Sequence, residues 1–233
     1  MISIENHHIR LTIQEGKSGF DIQSTQNGIP NLRGNQIRIC GSFSNGKRFA
    51  FCPQFTSPES ASDFEWVFKG WDESSGLKWK VNFSTPVESP FLLWKVQLNN
   101  ASKQEVALEK ILLLEPSEPG GQNLVINESR EFNHAAFFAN GWQSWSSSGA
   151  YQSGSRMRRS NLGLLQNPMV INPGTPEYHT RGVFSSDFFG VLGDLESRSA
   201  LLLGFLSQKQ HFGSLSADLR SRPVVKLWAN GDE

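Results

Sequence analysis

Apolar and polar residues alternate along much of this chain with a period of two, the signature of strands that bury one face. In Leu77-Lys78-Trp79-Lys80-Val81-Asn82-Phe83 the alternation is unbroken and places Leu77, Trp79, Val81 and Phe83 on one side. The preceding segment, Asp63-Phe64-Glu65-Trp66-Val67-Phe68, alternates in the same sense, with Phe64, Trp66 and Phe68 together. Gly70-Trp71-Asp72-Glu73-Ser74-Ser75-Gly76 between them is turn chemistry, so the pair predicts a hairpin. Ser62 with Glu65 three positions on also fits a helix capping box, but a helix ending at Gly70 is too short to compete.

The same grammar recurs. Ile9, Leu11 and Ile13 share a face, a Gly-Lys-Ser-Gly turn follows, and Phe20 and Ile22 continue on the return strand. Leu92, Trp94, Val96 and Leu98 alternate up to a turn at Asn99-Asn100, and residues 106–114 supply a further strand. Residues 199–206 form an apolar run interrupted by Gly204, for which residues 212–219 are the expected hairpin partner. A helical stripe of ten or more residues is absent, as are GxGxxG and GxxxxGK[ST] phosphate loops. Short strands spaced by Gly, Pro, Asn and Ser predict an all-β protein, a large antiparallel β-sandwich with little or no helix, read as one domain over residues 1–233. Residues 143–180 break the pattern, turning polar and rich in Gly, Pro and Ser, which marks a functional excursion or a disordered one.

Composition narrows the function classes. Lys and Arg together number 22 against 22 Asp and Glu, a net charge of zero. Nucleic-acid binding draws on a basic surplus to neutralise phosphates, so a DNA or RNA partner is not expected. No apolar stretch reaches the length of a membrane span and the start lacks a signal-peptide pattern, so the expectation is a cytoplasmic protein without a membrane partner. In a reducing compartment Cys40 and Cys52 read as two separate thiols rather than a disulfide. Seven Trp and 17 Phe beside two Tyr exceed what disorder tolerates and suit either sheet cores or sugar-stacking surfaces.

The candidate chemistry lies in Asn140-Gly141-Trp142-Gln143-Ser144-Trp145-Ser146. Two Trp three apart cannot share one side of a regular strand, so a loop or strand end is expected. Sugars stack an apolar CH face on an aromatic ring and bond their hydroxyls to fixed polar partners, and indoles flanked by amides and hydroxyls offer both. Indoles that plug the end of the core would read the same way, and the residues alone leave both open. Elsewhere the signals are weaker. Asp63, Glu65, Asp72 and Glu73 flank a turn and read as solvated surface. His7, His8, His134, His179 and His211 lack ligand spacing, so neither metal nor cofactor is expected. Arg156, Arg158 and Arg159 read as a solvated basic loop, with a face toward another domain or subunit as the alternative, and the serines form no GxSxG elbow.

Phe138-Ala139-Asn140-Gly141-Trp142-Gln143-Ser144-Trp145-Ser146 resembles the N-terminal-domain signature of the α-galactosidases of glycoside hydrolase family 36 (melibiase-like enzymes). Ser185-Ser186-Asp187-Phe188-Phe189 and Leu203-Gly204-Phe205-Leu206-Ser207 are similar to later strands of that domain, in the same order. The resemblance implies a β-supersandwich that precedes a catalytic (β/α)8 barrel and a small C-terminal β-domain. Such enzymes are retaining glycosidases whose two aspartates lie on the barrel, about 5–5.5 Å apart in the general scheme. The 233 residues are taken up by the sandwich, so the chain reads as an incomplete N-terminal domain and no catalytic residue is assigned in it. By position within the motif, Trp145 is the first candidate for the indole that such a domain lends to the galactose pocket, and Trp142 the second, as a buried support. The implied partners are α-galactoside sugars, the barrel and further copies of the chain. From a different class, a free-standing carbohydrate-binding module and a purely structural sandwich are the alternatives.

Overall fold

The computed structural model describes residues 1–125, 134–144, 146–158, 160–165 and 172–231. Helix among them amounts to little more than a 3-10 turn at Gly163–Leu165. The rest of the regular structure is strand, arranged as one 10-stranded and two 4-stranded antiparallel sheets.

The chain first builds β1 (Ile2–Glu5), β2 (Ile9–Ile13), β3 (Gly19–Ser24), β4 (Asn31–Phe43) and β5 (Arg48–Phe51) as successive antiparallel neighbours. It then leaves for a small sheet in the order β6 (Ser60–Ala61), β7 (Glu65–Asp72), β8 (Leu77–Ser84) and β9 (Leu93–Asn100). β10 (Val106–Pro116) and β11 (Leu124–Val125) return to β4. At 13 residues β4 is the spine of the large sheet, bonding β3 and then β5 along one edge and β11 and then β10 along the other.

The second small sheet runs β13 (Gly149–Gln152), β12 (Ala135–Ala139), β15 (Phe189–Asp194), β16 (Ser199–Gly204). β14 (Val183–Asp187), β17 (Gly213–Asp218) and β18 (Val224–Asn230) complete the large sheet beyond β10. Both small sheets lay an apolar face on the large one. Under β7 and β8 lies an aromatic cluster in which Phe55, fully buried, meets Phe20, Phe68, Trp79 and Phe83 at ring separations of 5.1–6.4 Å. Under β12, Phe137 and Tyr151 each stack on Phe184 of β14. The buried residues of both regions belong to one continuous core.

The alternation read from the sequence matches burial closely in β8, where Leu77, Trp79, Val81 and Phe83 are all buried and the polar residues between them are not. Three details differ. Gly70 is not turn but strand: β7 continues to Asp72, and Gly70 faces Trp79 because the indole occupies the space a side chain would fill, with a Cβ only 2.2 Å from Trp79 Cζ2. Phe64 does not join Trp66 and Phe68 in the core. It precedes the strand, where Ser62 closes a turn by accepting the Glu65 N–H at 3.0 Å, and is partly exposed.

The third difference is topological. β16 and β17 are not a hairpin. β16 pairs with β15 in the small sheet, while β17 lies between β14 and β18 in the large one, so residues 205–212 carry the chain from one layer to the other. A strand's own alternation specifies its buried face but not its neighbour, and here two apolar layers compete for adjacent strands.

Candidate functional site

The Trp-Gln-Ser-Trp motif lies in the loop that joins β12 to β13, at the end of the small sheet. The loop leaves β12 at Asn140 and is clamped there to β14. The Asn140 N–H donates to Ser186 Oγ at 2.7 Å, Asn140 Nδ2 donates to the Asp187 carbonyl at 3.1 Å, and the Asp187 N–H donates to the Asn140 carbonyl at 2.9 Å. Gly141 admits the tight return that follows, since a Cβ there would meet Ser146 Cβ at 2.5 Å. Its N–H donates to Ser148 Oγ at 2.9 Å, and the Ser146 N–H donates to the Gln143 carbonyl at 2.9 Å. The described residues of the motif therefore form a strand-end turn.

Asp187 anchors the site. Its buried carboxylate accepts from Thr175 Oγ1 at 2.6 Å, from Asn172 Nδ2 at 2.9 Å and from the backbone N–H of Trp142. Burial pushes the carboxyl above its ordinary value, against the lowering influence of these three donors. The donors are themselves held. Because Thr175 gives its proton to Asp187, it accepts from Ser214 at 2.7 Å, and Ser214 in turn accepts from Asn230 Nδ2 at 2.8 Å. Trp228 Nε1 donates to Asn230 Oδ1 at 3.0 Å, which fixes the amide. Every proton in the chain from Asn230 to Asp187 points toward the carboxylate.

The sequence places these partners through a local turn. In Asn172-Pro173-Gly174-Thr175 the Asn172 side chain accepts the Gly174 N–H at 3.0 Å and its carbonyl accepts the Thr175 N–H at 3.0 Å. Immediately after Asp187 the chain changes sheets at Phe188, whose φ of 68° lies in the left-handed region that a bulky residue rarely adopts. Two backbone bonds hold it there, from the Phe188 N–H to the Gly213 carbonyl and from the Phe205 N–H to the Phe188 carbonyl.

Loop and turn together enclose a cavity of about 60 Å³ lined by Asn140, Ser146, Ser147, Asn172, Thr175 and Asp187 among others. Amides and hydroxyls of the kind that bind sugar hydroxyls line it beside the charged Arg158, Glu177 and Asp187 and the apolar Met157. Its volume is about a fifth of the ~300 Å³ at which small-molecule pockets begin, so a pyranose can rest on its rim but not inside it.

Trp142 is half-buried and packs edge-on against Phe212, with ring centroids 6.2 Å apart at 80°. Phe212 also meets Phe188 at 6.1 Å, and its ring stays partly exposed. The indole N–H of Trp142 has no hydrogen-bond partner among the described residues. Trp145 lies outside the described residues, as does Arg159. Glu65, Asp72 and Glu73 sit on the β7–β8 hairpin and Asp63 just before it, in a different sheet from the motif's, and Glu65 accepts from Asn82 at 2.7 Å. Cys40 and Cys52 are both free thiols, as the sequence reading favoured, and burial pushes both up. Among the described residues no helix is long and apolar enough to cross a membrane.

Asn172, Thr175, Ser214 and Asn230 escaped the sequence reading because they lie in three separate segments, the turn at 172–175, β17 and β18, and none belongs to a spaced motif. The one available signal was the Asn-Pro-Gly-Thr turn. A scan against protein-family models finds no match, and a search of curated proteins finds none either.

Proposed function

We propose that this chain is the N-terminal sandwich of an α-galactosidase, a retaining glycoside hydrolase that removes terminal α-D-galactosyl groups. Its part is to present the loop after β12 as one wall of the sugar pocket. The supporting observation is the anchoring of that loop. Three hydrogen bonds at Asn140 and a buried carboxylate beneath Trp142 hold the motif in one geometry, which a stacking wall needs and a mere plug of the core does not.

The cavity directly beneath the motif is too small to enclose a pyranose, which supports a shared pocket at that loop over a free-standing carbohydrate-binding module. A partial wall of this kind leaves the remaining sugar contacts to another surface. On this reading the two catalytic aspartates belong to a (β/α)8 barrel, and Trp145 stacks on the galactosyl ring while Trp142 supports it from the side of Phe212.

Reading the coding frame after the codon for Glu233 is the first test, and continuation into a barrel with paired aspartates is expected. In the enzyme so defined, Trp145→Ala should lower kcat/KM for an aryl α-galactoside about ten-fold or more, equivalent to ~1.4 kcal/mol, with Tm little changed. Normal turnover with a collapsed Tm would make Trp145 a core residue instead. The 233-residue chain alone should hydrolyse nothing. Saturable galactose binding by that chain, tighter than about 1 mM, would replace this reading with the free-standing module.

A further inference from the structure

Beside the Asp187 cavity, and sharing Ser147 and Arg158 with it, lies a second and much larger groove of about 800 Å³. Three guanidinium groups, Arg156, Arg158 and Arg181, line it together with the hydroxyl-bearing Ser147, Ser148 and Ser155, and no acidic residue lines it. Within a chain of zero net charge, residues 140–182 hold four arginines against a single acid, Glu177. The three lining arginines are exposed and form no ion pair among the described residues.

Their gathering is built by the fold. Arg156 and Arg181 are brought together because the Gly182 N–H donates to the Ser155 carbonyl at 2.9 Å. That contact needs a glycine: Gly182 has a φ of 76°, and a Cβ there would meet the Ser153 carbonyl oxygen at 2.6 Å. Like charges held together by backbone geometry repel one another unless an anion is shared between them. Guanidinium forks match the oxygens of phosphate, sulfate and carboxylate in bidentate fashion, and the neighbouring serine hydroxyls supply further donors.

We infer that this groove binds an oxyanion carried on a small molecule, such as a sugar phosphate, sugar sulfate or uronate. The volume lies in the range of small-molecule sites, and its contact with the Asp187 cavity lets a sugar ring rest on that cavity's rim while its anionic substituent enters the groove. An acidic protein surface is the competing occupant. Inorganic phosphate carries no sugar, so its binding here is independent of whether galactosides are handled at the neighbouring loop.

The test titrates the purified chain calorimetrically with inorganic phosphate, galactose 6-phosphate, galactose 6-sulfate, galacturonate and, as the neutral control, galactose. Saturable binding of at least one anion at about 20 mM salt, weakened at about 300 mM, is expected. Arg156→Gln and Arg181→Gln should each reduce that affinity about five-fold or more and the double variant abolish it, with Tm within about 2 °C of the parent. The anion that binds most tightly identifies the substituent. Absence of saturable binding for every anion, or affinity unchanged in the double variant, overturns the inference. So does capture of an acidic protein surface alone, through the same arginines.

Discussion

Asp187 is a charge that the fold keeps under protest. Three donors converge on it, yet burial dominates and its carboxyl is held above its ordinary value. A raised carboxyl contributes stability that is fully present below its unfolded pKa, near ~4, and is lost as pH climbs through the folded value. Asp187→Asn carries no such charge. The stability difference, variant minus parent, should therefore grow as pH rises above about 4 in urea titrations; a constant difference would show that the carboxyl is not raised. The thiols provide a second check at this scale. With both pushed up by burial, Cys40 and Cys52 should react with iodoacetamide more slowly than free cysteine at about pH 8, and the lag should vanish in denaturant.

Among elements, the β7–β8 hairpin shows how far alternation reaches. Its buried face was legible in Leu77, Trp79, Val81 and Phe83, because a strand of period two on a half-buried sheet has few other solutions. Its exact length was not, since Gly70 reads as a turn residue and serves here as the floor beneath Trp79. Gly70→Ala should displace that indole and cost about 1–3 kcal/mol, visible as a lowered urea midpoint together with a shift in tryptophan emission. The strand-end character of the motif loop was equally legible, from its two Trp three apart. Its anchor was not, because Asp187, Asn172 and Thr175 converge only after β14 docks beside β17 and the turn at residues 172–175 folds over it. The pairing of β16 with β15 was missed for a related reason. Each strand displayed its apolar face, and nothing in that face named the layer it would join.

For the molecule as a whole, the two regions of aromatic packing belong to one continuous core of buried residues. Phe55→Ala beneath the first small sheet and Phe184→Ala beneath the second should each cost about 3–5 kcal/mol. Both should lower one common melting transition in calorimetry. Two separate transitions, each sensitive to only one of the variants, would show instead that the halves unfold independently. Phe55 makes a further point: it sits outside the named strands, in an isolated bridge with Lys17, and is nonetheless the centre of four ring contacts. Its burial follows from the gap that two twisted sheets leave between them, not from any local pattern.

Period-two alternation and turn chemistry are local properties, decided by side-chain direction and backbone sterics within a few residues. They were enough to specify an all-β chain, most of its buried faces and a loop at the Trp-Gln-Ser-Trp segment. Choice of neighbouring strand, convergence of Asn172 and Thr175 on one carboxylate with Ser214 and Asn230 linked behind Thr175, and assembly of three arginines around one groove are long-range outcomes. Residues 12 to 39 positions apart are hydrogen-bonded in the Asp187 cluster, and Arg181 meets Arg156 and Arg158 from a separate segment, because packing three sheets around a shared core leaves their ends nowhere else to go.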